Sequence, residues 1–269
     1  MRFVRQGPRC NRPRCVSCRG DMDSRQAGAA GEVGTGMLLL GIDTCGPAGS
    51  VALGRSIWQS VEILGEIELE GRSYSSTLVT AVSDLLKDAG VGLKDVGAIV
   101  AVYGPGSFTG VRVGLSAVKG LAEPLQIPVA VVSRLEVLAA KAGLEAAALD
   151  AHRGEVFLRI GGRSARPHGA GSDSAGPTEM LAGAAELKAI SPAPVQVAVC
   201  DEAAATVLAS AWSSAELIRV PAPTAADALR LAVAGVAEGE FVDLALLDGN
   251  YLRRSDAEIF GETAGAQRG

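Results

Sequence analysis

The stretch Gly41-Ile42-Asp43-Thr44-Cys45-Gly46-Pro47-Ala48-Gly49-Ser50-Val51-Ala52-Leu53 decides the fold. It closes an apolar run, Leu38–Asp43, with a carboxylate and a hydroxyl. It then passes through small turn residues into a second strand over Ser50–Leu53. Apolar runs of four to eight residues bounded by Gly and Pro read as buried strands. Further on, Ile63, Gly65, Ile67 and Leu69 alternate with Glu62, Glu66, Glu68 and Glu70, the period of a half-exposed strand. Three strands joined by tight turns therefore open the domain.

A helix follows, with Ser75 or Ser76 at its cap; Leu78, Val82, Leu85, Leu86 and Ala89 recur at helical spacing until Gly90. The strand Ala98–Tyr103 then stops at Gly104-Pro105-Gly106, and a second helix runs from about Ser107 to Glu123, before Pro124. Val129–Val132 reads as a strand and Arg134–Ala142 as a short helix. Strands first, then alternating β and α, give an α/β lobe whose later strands are parallel. In the second half, Ala146–Asp150 and Glu155–Ile160 read as strands about a His152-Arg153-Gly154 turn. A Gly/Ser/Pro-rich loop at 161–177 comes next. The alternation continues with helix-like Glu179–Ala189, strand-like Val195–Val199, helix-like Asp201–Ala211, strand-like Leu217–Val220 and helix-like Thr224–Ala237. Leu246–Leu252 reads as a last extended segment, and the stretch after Asp256 as frayed.

The 269 residues suffice for two modest domains with cores of their own, and with aromatics at 4% those cores must be built from Ala, Val, Leu and Ile. No run reaches the ~18 apolar residues of a membrane helix, which argues against a membrane protein. Residues 1–36 carry seven Arg against three acids, a balance of +4; with the chain at −5, about −9 falls on residues 37–269. The segment has neither an apolar h-region nor any periodicity, so it reads as a disordered basic extension, with the natural start expected at or near Met37. Cys10, Cys15 and Cys18 lack a fourth ligand nearby, and Cys45 and Cys200 are too few for a disulfide framework, which fits a reducing cytoplasm. So acidic a body argues against a strong nucleic-acid footprint.

Two segments are candidates for chemistry. Asp43 and Thr44 stand where actin-like ATPases and sugar kinases approach the metal and phosphates of a nucleotide; the same residues equally make an ordinary hairpin with Asp43 capping the turn. The glycine segment Tyr103–Gly114 has its glycines at 104, 106 and 110, so it is neither a dinucleotide fingerprint nor a Walker loop. Gly104, Gly106 and Ser107 can present a helix N-terminus to an anion, or simply make the connection. The second helix carries two adjacent stripes, Gly110, Gly114, Ala117, Leu121 and Val111, Leu115, Val118, Ala122, against the polar Arg112, Ser116, Lys119 and Glu123. One stripe of about 100° serves a surface helix. Here one is expected to pack on the sheet and the glycine stripe to meet a partner, two-sided burial within the lobe being the alternative. His152 and His168 are isolated, and no metal site is expected.

Together these segments resemble the TsaB family, once called YeaZ and grouped with glycoprotease-like proteins. The likeness rests on Ile42-Asp43-Thr44, Arg72-Ser73, the whole of Gly104–Gly114, Lys119-Gly120-Leu121-Ala122 and Val132-Ser133-Arg134-Leu135-Glu136. Weaker anchors are Leu149–Val156 and Tyr251-Leu252-Arg253. The resemblance implies an α/β fold of two actin-like (ribonuclease H-like) lobes, each a mixed sheet with flanking helices, here expected over 37–142 and 143–256 with a flexible tail at 257–269. It implies a cytoplasmic, non-catalytic subunit. Its partners would be a catalytic TsaD subunit, which transfers threonylcarbamoyl to N6 of adenosine 37 of tRNA, and the ATPase TsaE. In isolation it would be a homodimer. It would meet tRNA only indirectly, and any ATP and magnesium would belong to the complex. Leu78, Val82, Leu85, Gly110, Val111, Gly114, Ala117, Val118 and Leu121 correspond to the family's helical interface; Asp43, Thr44, Gly104, Gly106 and Ser107 would be a vestigial nucleotide site. Where family members commonly have Arg-Ser-His-Ser-Glu, this chain has Arg72-Ser73-Tyr74-Ser75-Ser76, which removes a His and a carboxylate and moves it further from metal chemistry. The alternative is an actin-fold ATPase or phosphotransferase using Asp43 and the Gly104–Gly110 loop.

Overall fold

The computed structural model describes residues 36–70, 73–161 and 178–253. The basic extension with its three cysteines, Arg72, His168, nearly all of the 161–177 stretch and the tail lie outside the described residues. Strands β1 (Leu38–Asp43), β2 (Ala48–Ile57) and β3 (Ser60–Glu70) form an antiparallel meander. After α1 (Tyr74–Asp88) come β4 (Val96–Val102), α2 (Phe108–Ala122), β5 (Val129–Val132) and α3 (Arg134–Ala142). Sheet order is β3-β2-β1-β4-β5, with β4 and β5 parallel to β1. The pattern follows from composition. Leu38–Asp43 has no polar side chain before its last residue and takes the centre, covered on both faces, while the Glu-rich β3 lies at the edge, where charge on a strand is tolerated.

The second half repeats the plan: β6 (Ala147–Asp150), β7 (Val156–Ile160), β8 (Thr178–Ala182), α4 (Ala184–Ala189), β9 (Gln196–Val199), α5 (Glu202–Ala211), β10 (Glu216–Arg219) and α6 (Ala225–Ala237). Its order, β10-β9-β6-β7-β8, is the first sheet's order over again. These are two actin-like lobes. One element differs from expectation: Glu179–Ala189 is not a single helix. Residues 178–182 pair with β7 in five antiparallel steps. The helix starts only after Gly183, whose N–H donates to Glu186 at 3.0 Å. Leu246–Leu252 forms no ladder; its Asn250 N–H donates to the Tyr103 carbonyl at 2.7 Å.

The last helix of each half crosses to the other. Ala225, Leu229, Ala232, Val233 and Val236 of α6 share a core with Leu39, Leu40, Val51 and Ile99, joined by Val242, Leu244, Leu247 and Tyr251. Leu135, Leu138 and Ala139 of α3 pack with Ala147, Leu149, Phe157 and Ala198 of the second sheet. A boundary at 142/143 therefore misassigns both helices. The alanine face of α6 permits close approach: a Cβ on Gly41 of β1 would lie 2.8 Å from the Ala225 carbonyl oxygen. Ser50 Oγ and Glu66 Oε1 accept the N–H groups of Ala225 and Ala226 at 2.7 and 3.0 Å, satisfying helix-start donors that would otherwise be orphaned.

Candidate functional site

Asp43 ends β1 fully buried, and both its oxygens are committed. Oδ1 accepts the Cys45 N–H at 2.8 Å, and Oδ2 faces Arg134 Nε at 3.3 Å. Arg134 is the first residue of α3, behind the Ser133 cap, and is itself only 4% exposed. Its guanidinium lies flat on the turn, where a Cβ at Gly46 would meet three of its atoms within 2.7 Å. From the other side Tyr74 donates its hydroxyl proton to the Gly46 carbonyl at 2.8 Å. Burial depresses the Arg134 pKa, but the Asp43 charge, joined by smaller contributions from Cys45, Cys200 and Tyr74, offsets it and the net shift is upward. Burial, and then the same carboxylate, push the Tyr74 hydroxyl up to about 12 and hold the Cys45 thiol well above its ordinary value. Cys45 donates to the Val102 carbonyl at 3.2 Å.

The glycine loop closes over this turn. Gly104 has φ +118°, open to glycine and strained for other residues, and a side chain there would press on Asn250. A Cβ at Gly106 would lie 2.2 Å from the Cys45 carbonyl oxygen, which accepts the Ser107 N–H at 2.8 Å. Ser107 caps α2 by accepting the Gly110 N–H at 3.3 Å, and Thr44 donates to the Gly110 carbonyl at 2.7 Å. Asp43, Thr44, Gly104, Gly106 and Ser107 are thus brought to one sheet end, where Arg134 bonds Asp43 and the Gly104 carbonyl, and Gly110 bonds Thr44 and Ser107. Arg134 is the functional residue that sequence reasoning passed over. A cation in the first turn of a helix opposes the helix dipole, which is a signal that a carboxylate waits nearby.

The interface residues divide. Leu78, Val82 and Leu85 face the first lobe's core, as do Val111 and Val118. The glycine stripe faces inward too. A Cβ at Gly110 would lie 2.1 Å from the Thr44 carbonyl oxygen, and one at Gly114 2.2 Å from Thr44 Oγ1. Gly110 and Gly114 are small because Thr44 crosses them, so in this chain those two glycines are sealed within their own lobe. Ala117 and Leu121 remain half-buried at the surface. A shallow groove of about 320 Å³ runs between α1 and α2 past Ser75, Val79, Val113, Ser116 and Ala117, and Val79 is 58% exposed. Among the described residues no cluster of His, Cys, Asp and Glu is fit to hold a metal ion, and no helix is long and apolar enough to cross a membrane.

The family profile described as "TsaD: tRNA N6-adenosine threonylcarbamoyltransferase" matches residues 67–197. The Escherichia coli "tRNA threonylcarbamoyladenosine biosynthesis protein TsaB" is 37% identical over 127 residues, 45% of this chain and 53% of that one. The Bacillus subtilis protein of the same name is 38% identical over 128 residues, 46% and 55% of the two chains. A solved structure titled "uncharacterized protein with similarity to peptidase YEAZ", from Pseudomonas aeruginosa, superposes with a TM-score of 0.65 at 30% identity, covering 81% of this chain and all of that one. The chain belongs to the TsaB (YeaZ) family. It spans about half the length of the curated TsaB relatives it matches. The profile match runs from β3 to β9 and so takes in α1, α2, the glycine loop and Arg134. Asp43, the partner of Arg134, lies upstream of it.

Proposed function

We propose that the chain is a non-catalytic partner subunit that binds and supports a TsaD-type transferase as it places threonylcarbamoyl on N6 of adenosine 37 of tRNA, in the cytoplasm. One observation carries the reading: the Asp43 carboxylate, which a nucleotide enzyme of this fold would turn toward a metal, is buried against Arg134. A buried ion pair is costly to break, because either partner left alone is an uncompensated charge in a poor solvent. The chain that keeps this pair acts by binding. The outer groove of α1 and α2, with Val79, Val113 and Ala117, is the surface offered to the TsaD-type subunit, or to a second copy when the chain is alone. A TsaE-type ATPase joins the assembly, and any ATP and magnesium are bound at that level. The acidic body leaves most of the tRNA to the other subunits.

Reconstitution tests this. The purified chain modifies no tRNA, while its addition to TsaD- and TsaE-type proteins and an enzyme making threonylcarbamoyl-adenylate restores modification. A reaction that runs equally well without the chain would sink the proposal. Calorimetry separates the enzyme alternative, for which micromolar binding of ATP and magnesium, lost in Asp43→Ala, would be the signature.

A further inference from the structure

A second groove, of about 380 Å³, lies on the other side of Arg112, between α2 and residues 247–253. Phe108, Arg112 and Lys119 line it from one face of α2, at i, i+4 and i+11, with Tyr251 and Arg253 opposite. The guanidinium of Arg112 sits 3.7 Å from the Phe108 ring centroid and 5.8 Å from that of Tyr251, and the two rings stand 5.1 Å apart at 52°. Stacking fixes the guanidinium by its faces and leaves its N–H edge free to bind an anion. Neither Arg112 nor Lys119 has an ion-pair partner among the described residues, although the chain is acidic overall. Arg253 is held by Glu155, and its buried Nε has no hydrogen-bond partner among the described residues. The one carboxylate in the groove, Asp248, accepts the Gly249 N–H at 2.7 Å.

We infer that this groove is a local contact for single-stranded RNA, with Arg112 and Lys119 on its phosphates and the Phe108–Tyr251 pair beside a base. Cations interleaved with aromatic side chains are the means by which proteins hold unpaired nucleotides, and they serve an acidic peptide less well. The inference rests on the proposed function, which brings RNA to the neighbouring subunit. Arg112 and Ser116 line both grooves, so a transferase seated on α1 and α2 would hold its RNA beside this one. With two phosphates engaged, log K falls with log salt at a slope of about −1.4.

The experiment is fluorescence anisotropy on the full chain at low salt, with a labelled anticodon-loop heptamer. Lys119→Glu and Arg112→Gln should each weaken binding about tenfold while thermal melts stay in place. Binding within twofold of wild type in both variants overturns the inference. So does equal affinity for a duplex of the same length. Displacement by AMP, inorganic phosphate or polyglutamate at matched concentration also overturns it, assigning the groove to small anions or an acidic peptide. Capture of the TsaD-type subunit by Lys119→Glu is measured in parallel. A wild-type chain that binds the heptamer but not that subunit would fail the proposed function and leave this contact standing.

Discussion

Alanine at Gly114 and alanine at Gly120 should have opposite effects, although both sit in α2. At Gly120 a Cβ meets nothing within 4 Å. Its only effect there is the helix-propensity gain of about 1 kcal/mol over glycine. At Gly114 the same atom would lie 2.2 Å from Thr44 Oγ1. Overpacking a closed core costs about 1–3 kcal/mol. Forcing the Thr44 hydroxyl off the Gly110 carbonyl, which it meets at 2.7 Å, loses about 1 kcal/mol more. Set against the same propensity gain, Gly114→Ala is destabilising by about 1–3 kcal/mol, and the two variants differ by about 2–4 kcal/mol. For a chain of this size that separates their melting temperatures by roughly 5–15 °C, read by calorimetry or circular dichroism. The decisive arm is Thr44→Ala. Without Oγ1 the nearest remaining Thr44 atom, Cβ, is 3.5 Å from the new methyl, an ordinary contact. In that background Gly114→Ala should become neutral or stabilising, a coupling of about 1–3 kcal/mol. Equal effects at 114 and 120, or no relief from Thr44→Ala, would refute the inward placement of the glycine stripe and return it to a partner.

Val79→Asp, at an exposed position, should shift monomer stability by no more than about 0.5 kcal/mol, yet weaken capture of the TsaD-type subunit more than tenfold; undiminished capture would move the interface elsewhere. Arg134→Met should destabilise by about 3–5 kcal/mol through the stranded Asp43 carboxylate, and Asp43→Asn in the same chain should recover most of that loss in chemical denaturation. Tyr74 has its hydroxyl pKa raised from 10.0 to about 12. The folded form therefore keeps a proton that the unfolded chain loses, so its contribution is whole below pH 10 and disappears as pH climbs toward 12. Tyr74→Phe should flatten that part of the stability–pH curve, and an unchanged curve would show that Tyr74 does not shape it.

Much of the fold was legible where a segment's own chemistry decides its state. β1, β5 and α3 match the sequence reading residue for residue, since each is an apolar run or stripe bounded by a cap, a Gly or a Pro. The misreading at 179–182 has an identifiable cause. Met180, Ala184 and Leu187 fall at helical spacing (i, i+4, i+7), but Gly183 interrupts the run and a ladder partner in β7 was available. The exchange of α3 and α6 was not legible, because an alanine-rich face says that a helix is covered without saying by what. The same limit governs the site. Small residues in α2 announce a close approach, and the approaching group proved to be Thr44, 66 residues upstream of Gly110. Asp43 and Arg134 are 91 residues apart.

The repeated plan of the two lobes indicates what the Asp43–Arg134 pair does. Asp43 and Asp150 hold equivalent places, each at the end of the first strand of its sheet. The Oδ1 of each accepts the N–H two residues on, from Cys45 and from His152, both at 2.8 Å. The second oxygens differ. That of Asp150 faces His152 Nδ1 at the surface, at 2.8 Å, whereas that of Asp43 is sealed under Arg134. Arg134 belongs to α3, whose apolar face is mounted on the second sheet. The buried pair therefore fastens the turn of the first lobe to a helix carried by the second, and breaking it strands a charge in the core. Here one turn is filled by a side chain that also ties the lobes together, as the binding role proposed above would require.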